Sequence, residues 1–385
     1  MKIEPFGVEL WMNEFESRCS LNLAETCVDS VTLAELLALA GEAQSSVNEL
    51  LSLKLTYGAI EGSRRVRQSI AALYARQTPE NTLITHGTIG ANSLVHQTLV
   101  SAGDHVVTIV PTYQQHVSIP ASVGAEVQQI ALREGNAFLP DLDELAGAVN
   151  DRTRLIAVTN PNNPTGSLMD QSMLEQLAAV ASTADAWLLC DEVYRGVDQQ
   201  DPGTTPSIAD LYEKGISTAS VSKVFSLAGL RLGWIVAPIP VIEAVMIHRD
   251  YNTISVGMIN DYLAALALEN HPQLLARSRR ITRQNLELLS AWVDAEPGIS
   301  WVKPRSGTTA LLKYDLALPS RTLCIELLDA TGVMLTPGSA MGMEGYVRIG
   351  FANSTATLEQ GLARLSEFLA SRRAARTQRV ESSAR

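Results

Sequence analysis

The chain has 385 residues and a mass of 41.6 kDa; 46% of its residues are hydrophobic and 18% are charged. This balance is typical of a folded globular protein and excludes a disordered or fibrous chain. The net charge of −11 argues against general nucleic-acid binding, and no apolar run approaches the roughly 18 residues of a membrane helix.

The N-terminus and the cysteines indicate the environment of the protein. The opening MKIEP contains an acid and a proline, which is not the pattern of a secretory signal. The four cysteines are scattered, without a CxxC pair or the spacing of metal ligands. We therefore expect reduced thiols, no metal site and a cytoplasmic location, with small molecules rather than nucleic acids or membranes as partners.

The middle of the chain alternates short apolar runs with longer helical patterns such as residues 170–184. The predicted strands are residues 105–110, 155–159, 186–190, 216–221 and 233–237. This alternation predicts an α/β fold around a mostly parallel sheet that is buried on both faces. Because ligands of such sheets bind beyond the carboxyl ends of the strands, polar residues at those ends are the candidate site.

The pattern changes after about residue 270 and predicts a smaller α+β domain. A long helix at 272–294 is followed by alternating runs at 310–314 and 346–350 and by a helix at 358–371. We predict four parts along the chain. They are an N-terminal segment at 1–47 that packs with the small domain and the active site, a large domain at 48–275, a small domain at 276–371 and a flexible tail at 372–385.

The strongest chemical signal is the segment SVSKVFSLAGLRLGW at 220–234. Lys223 follows a predicted buried strand, where a lysine is costly unless its pKa is lowered or it is hydrogen-bonded. Such a lysine can form a Schiff base with an aldehyde. Ser220, Ser222 and Arg231 around it are suited to hold a phosphate. The alternative is a surface lysine in a serine-rich turn, which the flanking pattern disfavours.

Two further polar clusters follow predicted strands. DEVY begins at Asp191, directly after the strand at 186–190, and NPNNPTG at 160–166 follows the strand at 155–159. An acid buried at a strand end needs a cationic partner, although Asp191 could also be an ordinary helix N-cap. The prolines and the glycine fix a turn from which Asn163 can reach a ligand, and an ordinary turn is the alternative.

In this order, the three segments resemble the class I/II aminotransferases, which are fold type I enzymes that use pyridoxal 5′-phosphate (PLP). The resemblance extends over roughly residues 53–368 and implies a PLP-binding large domain with a smaller second domain. It implies that Lys223 forms the Schiff base with PLP and shuttles protons, and that Asp191 pairs with the pyridinium nitrogen. Asn163 and Tyr194 match the residues that hold the phenolic oxygen of the ring. The implied phosphate contacts are Ser220, Ser222 and Arg231.

The same resemblance gives roles to four more places. The loop at 85–90 opens a helix, so its backbone N–H groups can bind phosphate. The cofactor residues expected there are Gly87, Thr88 and Ile89. Tyr113 matches the aromatic residue that stacks on the cofactor, and Arg348 matches the arginine that binds the substrate α-carboxylate. Tyr57 matches a tyrosine that reaches the phosphate of the neighbouring subunit, which implies a homodimer with shared active sites.

The N-terminal segment departs from the family pattern. Typical members carry a glycine-bearing stretch over the substrate, whereas residues 21–30 read LNLAETCVDS after an acid-rich opening. This opening resembles the branch of arginine-modifying PLP enzymes that includes capreomycidine synthase. Acids in the pocket would favour an arginine-like substrate, and the alternative is that they lie on a solvated helix. The candidate acids are Glu9, Glu14, Glu25 and Asp29, of which Glu25 is expected at the substrate together with Asn163.

The leading functional prediction is a PLP-dependent aminotransferase acting on an L-α-amino acid and a keto acid. In it, Lys223 removes the Cα proton as a free amine whose pKa is depressed by a dry site. The alternative is a lyase or cyclase of the same family that acts on an arginine-like amino acid such as canavanine or hydroxyarginine. A DNA-binding regulator built on this fold is disfavoured, because the segment before Tyr57 is acidic.

Overall fold

The computed structural model describes residues 2–41 and 43–383. The strands are β1 Leu21–Asn22, β2 Thr82–Thr85, β3 His105–Val110, β4 Glu126–Ala131, β5 Thr153–Thr159, β6 Trp187–Asp191, β7 Gly215–Ser220, β8 Gly233–Val236, β9 Ile299–Trp301, β10 Thr309–Tyr314, β11 Val333–Met334, β12 Thr336–Pro337 and β13 Tyr346–Gly350. The α-helices are α1 Gly7–Phe15, α2 Leu33–Leu39, α3 Ala43–Ser52, α4 Arg64–Ala71, α5 Gly87–Leu99, α6 Gln115–Ser122, α7 Leu142–Ala148, α8 Gln171–Thr183, α9 Ile208–Leu211, α10 Ile239–Asp250, α11 Met258–Glu269, α12 His271–Ala295, α13 Ser320–Thr331 and α14 Thr355–Ser383. Short 3₁₀ helices lie at Glu16–Arg18, Pro79–Asn81, Glu134–Asn136, Ala228–Leu230 and Gly338–Met341.

The large sheet has seven strands in the order β2-β8-β7-β6-β5-β3-β4. Within it only β8 runs antiparallel to its neighbours. The predicted α/β class with a mostly parallel sheet is therefore confirmed. Strands β6 and β7 are short and their residues are almost all buried, although β7 carries two serines and a threonine. Burial of both faces is typical of a parallel sheet that is covered by helices.

The register of the central strands places their ends side by side. Thr159 at the end of β5 pairs with Asp191 at the end of β6, and Asp191 pairs in turn with Thr218 of β7. Parallel strands bring their carboxyl ends to one edge, so the residues after β5, β6 and β7 meet there. This edge carries the predicted site.

The second unit is built on the four-stranded antiparallel sheet β12-β13-β10-β9. Its core combines residues of this sheet with apolar residues of α12, α13 and α14. The predicted boundary between residues 275 and 276 falls inside α12, a continuous helix of 25 residues. Because Leu274 packs in the core of the large sheet and Leu286 in the second core, this helix joins the two units.

The N-terminal segment divides its contacts between the two cores. Trp11, Phe15 and Leu23 pack in the core of the small sheet, and β1 pairs in parallel with β11. Leu36 of α2 packs instead in a core of the large unit. Residues 1–47 were predicted as one segment. Their first part belongs to the core of the small sheet, and from about α2 onward they belong to a core of the large unit.

The tail predicted as flexible at 372–385 is helical as far as Ser383, because α14 continues to that residue; its flexibility stays a prediction. Residues 372–383 contain Ala, Arg, Gln and Glu but neither glycine nor proline, so nothing in them ends a helix. Arg372 contacts Glu326 at 3.1 Å and Arg373 contacts Glu296 at 2.6 Å. Residues 384–385 lie outside the described residues. In the described part of the chain, no helix combines the length and apolarity needed to cross a membrane.

Candidate active site

A cavity of about 370 Å³ opens at the carboxyl edge of the large sheet, between the two units and beneath α1. It brings together most of the predicted site residues. Those that line it are Glu25, Thr88, Ile89, Tyr113, Asn163, Asp191, Tyr194, Ser220, Ser222, Lys223, Arg231 and Arg348. Of the predicted residues, Gly87 and Tyr57 do not line this cavity.

Lys223 lies three residues beyond β7 and its side chain enters the cavity. Its Nζ donates hydrogen bonds to Thr26 Oγ1 at 2.6 Å and to Cys27 Sγ at 3.5 Å. Burial by itself lowers the pKa of this amine, but acidic neighbours outweigh burial and raise the pKa above its usual value. These neighbours are Cys27, Tyr194 and Glu25. In the chain without cofactor the lysine is thus stabilised as an ammonium ion. The depressed pKa expected of the free amine beside bound substrate stays a prediction.

Asp191 is the last residue of β6 rather than a helix N-cap, and it is almost fully buried. Its Oδ2 accepts a hydrogen bond from Asn92 Nδ2 at 2.8 Å, and its Oδ1 accepts from the backbone N–H of Val193 at 3.1 Å. Burial nevertheless raises the pKa of the carboxyl group to about 6. A buried carboxyl group that faces a cavity fits a cationic ligand atom there.

Asn163 and Tyr194 contact each other across the cavity wall, since Asn163 Nδ2 donates to Tyr194 Oη at 3.2 Å. Arg348, in β13, is almost fully buried and donates to Asn163 Oδ1 at 3.3 Å. It also donates to the carbonyl oxygen of Ala24 and to Thr336 Oγ1, both at 3.1 Å, while its Nε has no hydrogen-bond partner among the described residues. A fixed guanidinium that faces the cavity is suited to a carboxylate.

The opposite end of the cavity is suited to an anion. Strand β2 ends at Thr85 and α5 begins at Gly87, so the free N–H groups of the first turn of α5 face this region. Gly87 has a φ of +67°, and a Cβ there would lie 3.0 Å from Arg231 Nη2, so the loop and the arginine approach closely. Thr88 Oγ1 is buried without a partner, and the backbone N–H of Ser222 donates to Ser220 Oγ at 3.2 Å. Hydroxyl groups, a helix N-terminus and an arginine together fit a phosphate.

Helix α1 covers the cavity and contacts the predicted stacking residue. Tyr113 Oη donates to Glu9 Oε1 at 3.2 Å, and the rings of Phe6 and Tyr113 lie 4.8 Å apart. From α1 and the turn after it, Glu9 and Glu16 line the cavity, as do Val8, Met12 and Asn13.

The four candidate acids of the N-terminal segment separate into two pairs. Glu9 and Glu25 line the cavity, whereas Glu14 pairs with Arg321 and Asp29 pairs with Arg277 on the outside. Glu25 Oε1 accepts from the backbone N–H groups of Thr26 and Cys27 at 2.7 and 2.9 Å. Although burial raises the pKa of Glu25, Lys223 and these hydrogen bonds lower it below its usual value, so the group is a carboxylate.

Several residues of the site were missed from sequence. Asn92 follows Thr88 by four residues on α5, a helical spacing that puts both on one face and could have revealed it. His116 follows Tyr113 by three residues, and its Nε2 lies 3.9 Å from Asp191 Oδ2. Burial lowers the pKa of His116 to about 4, so its ring is neutral. No spacing signal singles out Thr26.

The fold and the site together define the class of the protein. A mostly parallel sheet carries a lysine, an acid and an Asn–Tyr pair beyond adjacent strands, and a phosphate-binding helix start lies at the other end of the same cavity. The lysine amine fits an aldehyde, the Asp191 carboxyl fits a protonated ring nitrogen and the start of α5 fits a phosphate. This donor set fits PLP, and the protein is an α/β enzyme of PLP fold type I.

The comparisons with known proteins agree with this class. Residues 35–365 match the family described as aminotransferase class I and II. The chain belongs to this family, and its cofactor is PLP.

The chain is similar to two named relatives and to one solved structure of this family. The chain is 31% identical to capreomycidine synthase of Streptomyces vinaceus over 94% of its own length and 93% of that protein. It is 27% identical to the arginine–pyruvate transaminase AruH of Pseudomonas aeruginosa over 84% of each chain. The crystal structure of a PLP-dependent aminotransferase from Streptococcus suis is 41% identical, with a TM-score of 0.94 over 97% of this chain and 99% of that chain.

Tyr57 is 78% exposed and lies outside the cavity of its own chain. It therefore has no direct role at this cavity from within one chain. Its assignment to the active site of a neighbouring subunit stays a prediction.

Proposed function

We propose that the protein is a PLP-dependent aminotransferase that acts on an L-α-amino acid with a cationic, arginine-like side chain. The observation that carries this proposal is the distribution of charge in the cavity. Arg348 lies at one wall, Lys223 and Asp191 lie at the sheet edge, and the acids Glu9, Glu16 and Glu25 line the remaining space. An arginine-like amino acid has one carboxylate for the arginine and one side-chain cation for these acids.

Each charged residue then has a distinct part in the reaction. When bound, PLP supplies an electron sink for the electrons released at Cα. Asp191 as a carboxylate holds the proton on the ring nitrogen, and the Asn163–Tyr194 pair orients the phenolic oxygen. Lys223 accepts the Cα proton of the substrate as a neutral amine and returns it during turnover. Arg348 holds the α-carboxylate, which fixes Cα within reach of the lysine.

Recognition of the substrate side chain is the role we propose for Glu9 and Glu25. Both acids lie in a partly desolvated cavity, where an ion pair is stronger than on the surface. The name of one relative, an arginine–pyruvate transaminase, supports the same substrate class. Replacement of Glu9 by Gln is expected to raise KM for arginine by about 10-fold or more, as for loss of one charge-assisted hydrogen bond.

The test is a product screen of the purified enzyme with PLP. The twenty amino acids and guanidino analogues are each incubated with pyruvate or 2-oxoglutarate, and new amino acids and keto acids are measured by mass spectrometry. We expect amino-group transfer from arginine at much higher kcat/KM than from aspartate or phenylalanine. Equal kcat/KM for all three would contradict the substrate class, and no transfer from any donor would contradict the reaction.

A second candidate function is elimination or cyclisation on an arginine-like amino acid. The similarity to a protein named capreomycidine synthase favours it, as does the same pair of cavity acids. Both reactions begin with loss of the Cα proton, so Lys223 has the same part in each. The screen separates them, because elimination or cyclisation gives a modified product without forming a new amino acid from the keto acid.

We also propose that the enzyme is a homodimer with shared active sites. The exposed position of Tyr57 supports this assembly, as do other exposed apolar side chains on the neighbouring segments at 51–60 and 247–259. These side chains are Leu51, Leu55, Ile60, Ile247, Tyr251, Ile254 and Ile259.

A further inference from the structure

Residues 24–27 form a short segment without regular secondary structure that contacts several parts of the active site. The carbonyl oxygen of Ala24 accepts a hydrogen bond from Arg348, and the side chain of Glu25 lines the cavity. Thr26 is 8% exposed, and its backbone carbonyl accepts from Thr308 Oγ1 at 2.7 Å. The segment is therefore held at several points and cannot drift relative to the cavity.

Within this segment, the hydroxyl group of Thr26 contacts the reactive amine. Lys223 Nζ donates to Thr26 Oγ1 at 2.6 Å, which is in the short range of charge-assisted hydrogen bonds. Cys27 Sγ, at 3.5 Å, is the other acceptor of this amine among the described residues, and sulfur is a weak acceptor. The backbone is linked as well, since the N–H of Val28 donates to the carbonyl oxygen of Lys223 at 3.2 Å.

We propose that Thr26 is a positioning residue for Lys223. Its hydroxyl group holds the free amine of the lysine on the substrate side of the cavity whenever that amine is not bound to the cofactor. The role given to the lysine rests on the proposed function, whereas the contact itself does not. The same segment accepts a hydrogen bond from Arg348 and carries Glu25. Binding of the substrate at either residue therefore affects the position of the amine.

The effect of Thr26 can be separated from that of the charged groups around the amine. The groups that act on Lys223 are Glu25 and Cys27 from the N-terminal segment, Asp191 at the end of β6 and Tyr194 after it. Replacement of Thr26 by Val leaves all four groups and the side-chain shape in place, and removes the oxygen with its hydrogen bonds to Lys223 and to Tyr194. Replacement by Ser keeps the oxygen, so Ser is the matched control.

The first measurement uses the full-length chain without cofactor. The pH dependence of amine labelling at Lys223 is followed by peptide mass spectrometry in the wild type, Thr26→Val and Thr26→Ser. Because the hydrogen bond stabilises the ammonium form, we expect the midpoint to fall by about one pH unit in the valine variant and to stay unchanged in the serine variant. An unchanged midpoint in the valine variant would overturn the proposal, whatever reaction the enzyme performs.

The second measurement uses the enzyme loaded with PLP and substrate deuterated at Cα. We expect kcat to fall about 10-fold or more in Thr26→Val with little change in KM, and the isotope effect on kcat to increase, because proton transfer becomes slower. Thr26→Ser should restore both values. Equal losses in the two variants, or an unchanged isotope effect, would contradict positioning. If Thr26→Val does not fold, Thr26→Ala, which also lacks the oxygen, is measured in the same way.

Discussion

At Asp191, burial and hydrogen bonding act on one carboxyl group in opposite directions. Burial favours the protonated form, while Asn92 and the backbone of Val193 stabilise the carboxylate, and the net result is a pKa of about 6. The two histidines nearby do not supply a charge. His96 Nε2 and His116 Nδ1 lie 3.1 Å apart, and burial lowers the pKa of both rings. We therefore expect the carboxylate to gain its cationic partner from the cofactor.

The raised pKa of Asp191 predicts a pH dependence of stability. A carboxyl group whose pKa is about 6 in the folded chain and about 4 when unfolded binds its proton more tightly in the folded state. Its stabilising effect is complete below about pH 4 and is lost as the pH rises through about 6. Between pH 4 and pH 7, the free energy of unfolding of the cofactor-free wild type should thus fall by up to about 3 kcal/mol more than that of Asp191→Asn.

Urea unfolding of both cofactor-free chains at several pH values measures this difference. Comparison of slopes against pH removes any constant cost of the substitution, such as reorientation of the Asn92 amide. Parallel pH profiles for the two chains would contradict the assignment. With PLP bound, the wild type should be more stable than Asp191→Asn at neutral pH. The wild-type carboxylate then has a cationic partner, with which the asparagine cannot form an ion pair.

At the scale of elements, α1 connects substrate recognition with the core of the small unit. Trp11 is fully buried, its Nε1 donates to the carbonyl oxygen of Leu335 at 2.9 Å, and its ring lies 4.2 Å from that of Phe15. The other face of the same helix presents Glu9 to the cavity and to Tyr113. Packing of Trp11 thus helps to position Glu9, the acid proposed to recognise the substrate side chain.

Truncation of this tryptophan should affect both stability and specificity. We expect Trp11→Ala to lower the free energy of unfolding by about 3–5 kcal/mol, as for other large buried aromatics, and to weaken the preference for arginine-like substrates. The measurements are urea unfolding and the ratio of kcat/KM for arginine and aspartate. Leu10→Ala is the control on the same helix, because Leu10 is 55% exposed, and its cost should stay within about 0.5 kcal/mol. A loss of stability without any change in the ratio of kcat/KM for arginine and aspartate would contradict a role of α1 in substrate recognition.

At the scale of the whole molecule, one chain supplies most of the cavity but leaves Tyr57 outside it. Tyr57 is among the most exposed large side chains, together with Leu55 and Tyr251. Exposed apolar side chains gathered in one region are typical of a surface that a second molecule covers. Two chains that exchange this tyrosine would each complete the phosphate end of the other.

Exchange of Tyr57 between subunits predicts complementation. Tyr57→Phe should weaken PLP binding by about 10- to 100-fold without a change in fold, because one hydrogen bond to a charged phosphate is lost. Lys223→Ala should be inactive. In mixed dimers of the two variants, the chain with an intact lysine receives an intact tyrosine from its partner, so activity at low PLP should rise well above that of either variant alone.

The measurement is activity at limiting PLP for each variant and for the two chains unfolded and refolded together. The mass of each species in solution is measured by analytical ultracentrifugation. If Tyr57 acted within its own chain, mixing would restore nothing. A monomeric wild type with tight PLP binding would exclude the shared site.

Sequence alone determined the sheet class and the cofactor end of the site. The reason is local, because strand-length apolar runs followed by Asp191, Asn163 or Lys223 place those residues at one edge of any parallel sheet. The bounds of the long helices were also predictable, since α12 and α8 follow continuous helical patterns. The end of α14 was not, because an arginine-rich segment reads equally well as a solvated tail.

The substrate end was decided by the tertiary structure. Glu9 and Glu14 lie five residues apart, which places them roughly 140° apart around α1. The tertiary contacts of α1, among them the burial of Trp11 and the ion pair of Glu14 with Arg321, decide which of the two faces the cavity. The contact of Thr26 with Lys223 joins residues 197 positions apart. Such contacts depend on how the two cores pack against each other. No periodicity or motif along the chain predicts that residues so far apart in sequence are in contact.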